Sequence, residues 1–554
     1  MLPKLEFLKL KGLPNLTRFC TGHLIQCCFL QELWIEDCPT LKTFISNSLS
    51  TDAVANNQFE ETNSTLFDEK VAFSNIEKLR ILGMDNLNMI WHTEFHSDSF
   101  CKLKVLKVKQ GNKLLNIFPP NMLRRFQNLE HLEVDSCASL EEVFDLRSLM
   151  RLTSLIVEGC RNLKYLFTTS MVESLAQLKR LVLCDCVSME EIIIKNGLGE
   201  QENVRGMMLP KLEFLKLKGL PNLTRFCTGH LIQCCFLQQL WIEDCPALKT
   251  FISNSLNTDA VANNQFEETN STLFDEKVAF SNIEKLCILG MDNLSMIWHT
   301  EFHSDSFCKL KVLKVKQGNK LLNIFPPNML RRFQNLEHLE VDSCASLEEV
   351  FDLRSLMSEK ESQVVTAFKL KYMYVWNLQK LKKEIVADEE RLGEAPKFVF
   401  PKTSSFILCD LPELKSFYPG RHTSEWPVLK KIDVFLCDEV PDNAMPLPLY
   451  HVTPVYLRYH GNPIKLNVIP NLEELSLNVK DAEKVCQGQF SADLFHKVRV
   501  LELQSFDDAS AEFPFGILNR FHNLEKLVVT TGNFKELFPC QLVDEEEHTL
   551  ARIR

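Results

Sequence analysis

Leu5-Glu6-Phe7-Leu8-Lys9-Leu10-Lys11-Gly12-Leu13-Pro14-Asn15-Leu16-Thr17-Arg18-Phe19 is the stretch whose reading decides the fold. Its apolar residues fall at Leu5, Leu8, Leu10, Leu13, Leu16 and Phe19, in steps of three, two, three, three and three. Leu8 and Leu10 are two apart, so they share one face of a strand. The steps of three fit a tight corner followed by a loose or 3₁₀ return. Neither half can bury its apolar face alone. The same steps recur along the whole chain, so each turn is expected to bury its neighbours, and the chain reads as a solenoid.

The spacing L-x-x-L-x-L-x-x-(C/N/L)-x-x-L resembles the leucine-rich repeat. It continues through Leu30, Leu33, Ile35, Cys38, Leu41 and Phe44, and again through Ile76, Leu79, Ile81, Met84, Leu87 and Ile90. Units starting at Leu103, Leu129, Leu152 and Leu178 follow without a break in register. The expected fold class is therefore α/β: a leucine-rich-repeat arc with a parallel concave β-sheet and a convex side of irregular loop, 3₁₀ or short helix. About eighteen units can be counted, which at a strand spacing of about 4.8 Å gives a sheet of roughly 85 Å.

A duplication dominates the sequence. Residues 1–150 recur at 208–357 with five differences: Glu32/Gln239, Thr40/Ala247, Ser50/Asn257, Arg80/Cys287 and Asn88/Ser295. The shift of 207 residues spans seven units, so it adds whole coils and keeps the strand face. The division that follows is 1–207 and 208–357 as two copies, 358–440 as divergent repeats, 441–471 as a Pro-rich irregular segment and 472–554 as further divergent repeats. Ser46–Glu69 and its copy Ser253–Glu276 are polar and aperiodic and read as exposed loops. Ser358–Thr366 reads as a linker and Val386–Lys397 as a charged insert. Both chain ends are expected to be cut, because neither offers a polar capping unit.

Composition bounds the rest. Apolar residues make up 45% and charged residues 24%, ordinary for a packed soluble chain. A net charge of −11 argues against nucleic acid, which wants a basic face, and against an anionic membrane surface. No apolar run is long enough to span a membrane, and the first residues already read as repeat rather than as a signal peptide. Among the 20 cysteines, Cys38, Cys137, Cys160, Cys186, Cys245, Cys344 and Cys437 occupy one repeat position, the corner after the strand. A free thiol packs there as a small hydrophobe, which points to a reduced ladder and a cytoplasmic chain. Asn15-Leu16-Thr17 has the form of a glycosylation site inside a repeat corner, where a glycan is expected to fit badly.

Residues between the apolar strand positions are expected on the concave face. These include Phe7, Lys9 and Lys11, then Glu32, Trp34 and Glu36, then Lys78 and Arg80, and in later units His131, Glu133 and Asp135. Charges there can simply pair across strands. The aromatics are more informative: Trp34, Trp241, Tyr372, Tyr374 and Trp376 sit where nothing in the coil requires them, and exposed aromatics are typical interface anchors. With Arg80, one of the duplicate differences, they form the candidate partner-binding set; lateral packing between rows is the competing account. His92 and His96 are four apart but lack the H-E-x-x-H pattern. No Ser/His/Asp nucleophile context, paired acid motif or G-x-x-x-x-G-K-[ST] phosphate loop occurs, so no catalytic, cofactor or metal site is expected.

Leu2-Pro3-Lys4-Leu5-Glu6-Phe7-Leu8-Lys9-Leu10, Cys38-Pro39-Thr40-Leu41-Lys42 and Phe73-Ser74-Asn75-Ile76-Glu77-Lys78-Leu79 resemble the C-terminal repeat region of plant disease-resistance proteins, the intracellular coiled-coil, nucleotide-binding, leucine-rich-repeat receptors. The resemblance covers essentially the whole chain. It implies recognition of a pathogen effector or modified host protein, and contact with a nucleotide-binding switch domain. That domain's phosphate loop is not in this sequence, so nucleotide binding does not carry over. An extracellular receptor ectodomain, a ubiquitin-ligase substrate adaptor and a truncated duplicate without function stay open at this point.

Overall fold

A computed structural model describes residues 4–22, 24–46, 65–92, 99–118, 125–141, 149–172, 174–194, 209–228, 232–253, 272–299, 305–325, 330–351, 364–366, 369–381, 397–399, 401–409, 411, 423–425, 428, 431–435, 473–478, 495–506 and 515–532. The chain forms two compact units, Met1–Ile283 with Glu301–Phe307, and Glu284–Thr300 with Cys308–Arg554. Each is a parallel leucine-rich-repeat solenoid. In the first unit nine five-residue strands pair in chain order: Phe7–Lys11, Glu32–Glu36, Lys78–Leu82, Val105–Lys109, His131–Asp135, Ser154–Glu158, Arg180–Cys184, Phe214–Lys218 and Gln239–Glu243. In the second, six follow one another: Lys285–Leu289, Val312–Lys316, His338–Asp342, Tyr372–Trp376, Ser405–Cys409 and Lys431–Phe435. A separate three-stranded parallel sheet joins Glu474–Asn478, Val500–Phe506 and Lys526–Gly532.

The step of two sets the strand faces as expected. Leu106 and Val108, Leu132 and Val134, and Leu155 and Val157 are fully buried, while the residues between them face solvent. Registers are aligned residue for residue, so Leu106 pairs Leu132 and Leu132 pairs Leu155. Each side chain thus stacks on the equivalent one in the next coil. The only described α-helix is one turn, Thr169–Val172, and the return path is mostly turns, short strands and 3₁₀ segments such as Leu330–Phe333.

The corner after each strand repeats one backbone device. The residue following the strand takes a left-handed conformation: φ is 64° at Gly12, 54° at Asp37, 67° at Gly83, 56° at Gln110 and 54° at Ser136. Its N–H still donates to the last strand carbonyl of the next coil, as from Asp37 to Leu82 (2.9 Å) and from Ser136 to Glu158 (2.8 Å). At Gly83 an added Cβ would lie 2.5 Å from Asp37 Oδ1, so that carboxylate would have to shift, and the left-handed backbone favours glycine.

The cysteine comes next. Cys38, Cys137, Cys160, Cys245 and Cys344 are fully buried, and each thiol donates to the carbonyl two residues before it. Burial pushes the Cys245 thiol up to about 12 and Cys344 to about 11, so both stay protonated. The corner cysteines Cys38, Cys137, Cys160, Cys186, Cys245 and Cys344 are free thiols; Cys437 lies outside the described residues. On the entry side of the strand an asparagine recurs one residue before the first repeat leucine. Asn128 Nδ2 donates to Cys101 O of the preceding coil at 2.7 Å, and Asn335 does the same to Cys308 O. Asn75 and Asn282 make the equivalent bonds to Cys28 and Cys235. These bonds satisfy carbonyls that the turn would otherwise leave unpaired.

Behind the sheet the core is aromatic. Phe67 lies within 6.2 Å, centroid to centroid, of Phe44, Phe73, Trp91 and Phe100. Trp91 is buried, and its Nε1 donates to Ile117 O at 2.8 Å. Ser99 is buried and bridges two segments, donating to Val71 O and accepting from Phe73 N. This packing corrects the reading of Ser46–Glu69 as exposed loop. Thr65–Phe67 is a buried strand paired with Met89–Trp91, and Thr272–Phe274 in the second copy is equally buried. Three residues are too short for periodicity to reveal a strand, and only the neighbouring coil supplies its partner. Residues 47–64 and 254–271 lie outside the described residues.

The linker reading is corrected at its end: Val364–Thr366 is a strand paired with Lys397–Val399, which starts at the last residue of the charged insert and pairs in turn with Thr423–Glu425. The rest of both segments, and the Pro-rich stretch, lie outside the described residues. Asn15 is exposed in its turn, so the corner does not crowd a glycan as the sequence reading expected.

The duplication provides a packing control. Leu8 and Leu215 have the same sequence context, yet Leu8 is half-buried and Leu215 is 1% exposed. The strand Phe7–Lys11 has a described neighbour on one side, and Phe214–Lys218 has one on each side. Leu215→Asp is therefore expected to abolish cooperative unfolding of its unit, costing about 3–5 kcal/mol for an unpaired buried charge, whereas Leu8→Asp costs clearly less; urea titration followed by circular dichroism measures both. Gly83→Ala should cost about 1–2 kcal/mol through its left-handed backbone alone, and the same titration reads it.

Candidate recognition surface

Residues that point away from the core form rows across the strands. In the first unit the middle row runs Lys9, Trp34, Arg80, Lys107, Glu133, Ile156, Val182, Lys216 and Trp241. In the second it runs Cys287, Lys314, Glu340, Tyr374, Ile407 and Asp433. The six candidate residues all lie on the solvent side of the sheet in their own unit. Four of them, Trp34, Arg80, Trp241 and Tyr374, lie in the middle rows, and Tyr372 and Trp376 lie one row to either side of Tyr374.

Trp34 is half-buried by its row neighbours. The Arg80 guanidinium carbon lies 4.0 Å from its ring centroid and Lys9 Nζ lies 4.7 Å away. Phe7 meets it edge-on at 5.3 Å. Both lateral contacts follow from register, since Lys9 pairs Trp34 and Trp34 pairs Arg80. Such cation–π contacts are worth about 0.5–1 kcal/mol each at a partly exposed site. Arg80 is thus a packing partner of Trp34 as well as a surface charge. In the second copy Cys287 stands at the position of Arg80.

Tyr372–Trp376 differs. Met373 and Val375 are buried at 2% and 1%, while Tyr372 is 43% and Trp376 53% exposed. Tyr374 is half-buried in the middle row. His338, on the adjacent strand, lies 5.9 Å from the Tyr372 ring and 5.7 Å from the Tyr374 ring. Burial first, and then Lys314, hold the His338 imidazole below its ordinary pKa, while Glu340 pulls it upward. The strand His338–Asp342 is identical in sequence to His131–Asp135, but its neighbours are not. In the first copy His131, Glu133 and Asp135 pair Ser154, Ile156 and Glu158. In the second, His338, Glu340 and Asp342 pair Tyr372, Tyr374 and Trp376. The aromatic surface therefore arises where the second copy meets divergent repeats. Its signal was present in the sequence, but only as the order of two strands, one of which repeats elsewhere without aromatic neighbours.

Charges on this face pair across strands. Lys109 reaches Glu133 at 2.7 Å and Asp135 at 3.2 Å, and Lys107 also contacts Glu133. The copy repeats the arrangement, with Lys314 and Lys316 each 2.5 Å from Glu340. Glu133 and Glu340 are 12% and 19% exposed. Burial raises each carboxyl, but the two lysines more than offset it and hold both at about 2. No group of His, Cys, Asp and Glu suited to a metal occurs among the described residues. Residues 93–98, which include His96, lie outside them. No helix among the described residues is long and apolar enough to cross a membrane.

The family model for "Plant disease resistance protein RPS2-like, leucine-rich repeats" matches residues 75–151, 147–262 and 282–438. "Probable disease resistance protein At4g27220" of Arabidopsis thaliana is 32% identical over 158 residues, covering 27% of this chain and 17% of that protein. The match thus spans well under a fifth of the curated relative. Among solved structures, a leucine-rich-repeat protein of Leptospira interrogans, LIC12759, aligns with 15% identity and a TM-score of 0.36 over 87% of this chain and 90% of that one.

The depressed carboxyls carry a pH dependence. A folded-state value near 2 against an ordinary 4.5 stabilises the fold above about pH 4.5, and that stability is lost as pH falls toward 2. Glu133→Gln with Glu340→Gln should lower urea resistance at pH 7 and flatten its decline between pH 4.5 and pH 2, read by circular dichroism across the pH series.

Proposed function

The chain belongs to the RPS2-like leucine-rich-repeat family of plant disease resistance proteins, and we propose that it is the recognition module of an intracellular immune receptor, sensing a pathogen effector or a modified host protein through the solvent face of its parallel sheet. The leucine-rich repeat is a non-catalytic fold family that serves protein interaction, and the reading assigns this chain binding rather than catalysis. The supporting observation is the pair Tyr372 and Trp376. Both stay exposed on a strand whose alternate residues are fully engaged in the core. Aromatic side chains of this size in the open are the groups that anchor protein interfaces.

Tyr374 belongs to the same strand in this reading, more deeply seated, and Trp34, Arg80 and Trp241 are the corresponding candidates on the sheet of the first unit. The mixed, mutually paired lysines and carboxylates around them suit a protein partner better than a nucleic acid, which would need uncompensated positive charge. In the same reading the repeats also contact a nucleotide-binding switch domain and restrain it, in the cytoplasm, with ATP or ADP bound by that domain and not by these residues.

The test is affinity selection from extracts of pathogen-challenged plant tissue with the wild-type chain, followed by measured affinities for the protein selected. Tyr372→Ala with Trp376→Ala is expected to weaken binding at least tenfold, about 1.4 kcal/mol or more, with an unchanged circular dichroism spectrum. Unchanged affinity in a folded double variant would remove the aromatic strand from the interface.

A further inference from the structure

Trp34 shows how this fold covers an indole ring on the solvent face of a sheet. A cation from each neighbouring strand lies against the ring, Lys9 on one side and Arg80 on the other. Trp376 occupies the same kind of position without that company. Its register partners are Asp342 and Cys409. Its side chain is 53% exposed, and among the described residues no cation or ring is recorded against it. The two tyrosines of its strand are turned to use: both lie within 6 Å of the His338 ring. The indole is the member of the row left without a partner.

Beside it stands a carboxylate held in place. Asp342 Oδ1 accepts from Ser343 Oγ at 2.8 Å, and Ser343 Oγ accepts from Asn377 Nδ2 at 3.1 Å. Asn377 and Ser343 are both left-handed corner residues, so the backbone device that turns the coil also fixes this relay. The nearest described cation, Lys316, lies 3.6 Å from Asp342 Oδ2 and is itself shared with Glu340 at 2.5 Å. In the first copy the same Ser136–Asp135 pair exists, but Glu158 stands where Trp376 does and Gly159 where Asn377 does. Of the two copied strands, only the second has the open indole beside the buttressed carboxylate.

We infer that Trp376 and Asp342 together form a seat for an arginine side chain presented by the protein partner. A guanidinium is planar, so it stacks on an indole while its edge donates to a carboxylate, which an ammonium point charge does less well. The net charge of −11 favours approach of a basic side chain over an acidic one. The inference rests on the recognition reading above and names the chemistry of its occupant.

The chain labelled with 5-fluorotryptophan tests it, with the Trp376 resonance among the 6 tryptophans assigned by Trp376→Phe. The probe is the peptide acetyl-Gly-Gly-Arg-Gly-Gly-amide, set against the same peptide carrying citrulline, a neutral isostere. At roughly millimolar peptide, as expected for a single anchoring side chain, the arginine probe should shift the Trp376 fluorine resonance along a saturating curve. The Trp34 resonance should not move, because its ring is already covered. The citrulline probe should give less than about a tenth of the shift, and Asp342→Asn should weaken the arginine probe roughly five- to tenfold. An unmoved Trp376 resonance, an equal response to citrulline, or indifference to Asp342→Asn overturns the inference. Trp376→Ala measured against the selected partner separates this from the broader reading. Loss of partner binding with no probe response leaves the recognition surface standing and removes the arginine seat; a probe response with unchanged partner affinity does the reverse.

Discussion

No single coil of this chain can bury its own apolar face, and everything else in the structure follows from that constraint. A coil offers two or three inward strand residues, a corner and a short return. It becomes stable only when the next coil covers it. The aligned parallel registers are the result, because any slip would turn the leucines to solvent. The left-handed corner residue serves the same end: it turns the chain while its N–H still reaches the neighbouring coil. The buried thiol and the entry-side asparagine then satisfy the backbone carbonyls on either side of the strand.

Because coils depend on their neighbours, identical sequence does not mean identical structure. The duplication makes this visible within one molecule. Leu8 and Leu215 share their local sequence and differ in burial. Asp135 and Asp342 share their strand and differ in what stands beside them, a glutamate in one case and a tryptophan in the other. Adding whole coils preserved the core, since seven units fit the repeat. The same copied strand stands beside different neighbours in the two copies. A copied block can thus carry a different surface without any substitution inside it.

The surface chemistry obeys the same lateral logic. Trp34 is covered because lysine and arginine occupy its row, and the carboxylates of Glu133 and Glu340 are held ionised because two lysines converge on each. Charged residues on this face are mostly spent on one another, which leaves the aromatic strand Tyr372–Trp376 as its distinctive feature. Family membership supplies the biological setting. The geometry supplies the particular residues.

Much of this was legible in the sequence. The step of two located each of the eighteen described repeat strands, and in strands such as Val105–Lys109, His131–Asp135 and Tyr372–Trp376 it assigned the faces, because alternation along a strand is a local property of the backbone. The corner cysteines, the copied block and the aromatic positions could be read in the same way. Three things could not. The buried triplet Thr65–Phe67 looked like loop because three residues carry no period, and its partner, Met89–Trp91, is supplied by another coil. Val364–Thr366 and Lys397–Val399 were hidden for the same reason. The covering of Trp34 and the openness of Trp376 depend on which side chains the next strand brings alongside. Sequence determined the repeat, its register and which residues leave the core, since these follow from spacing along one chain. Tertiary structure alone decided which of them remain exposed, since exposure is set by contacts between coils whose residues lie far apart in sequence.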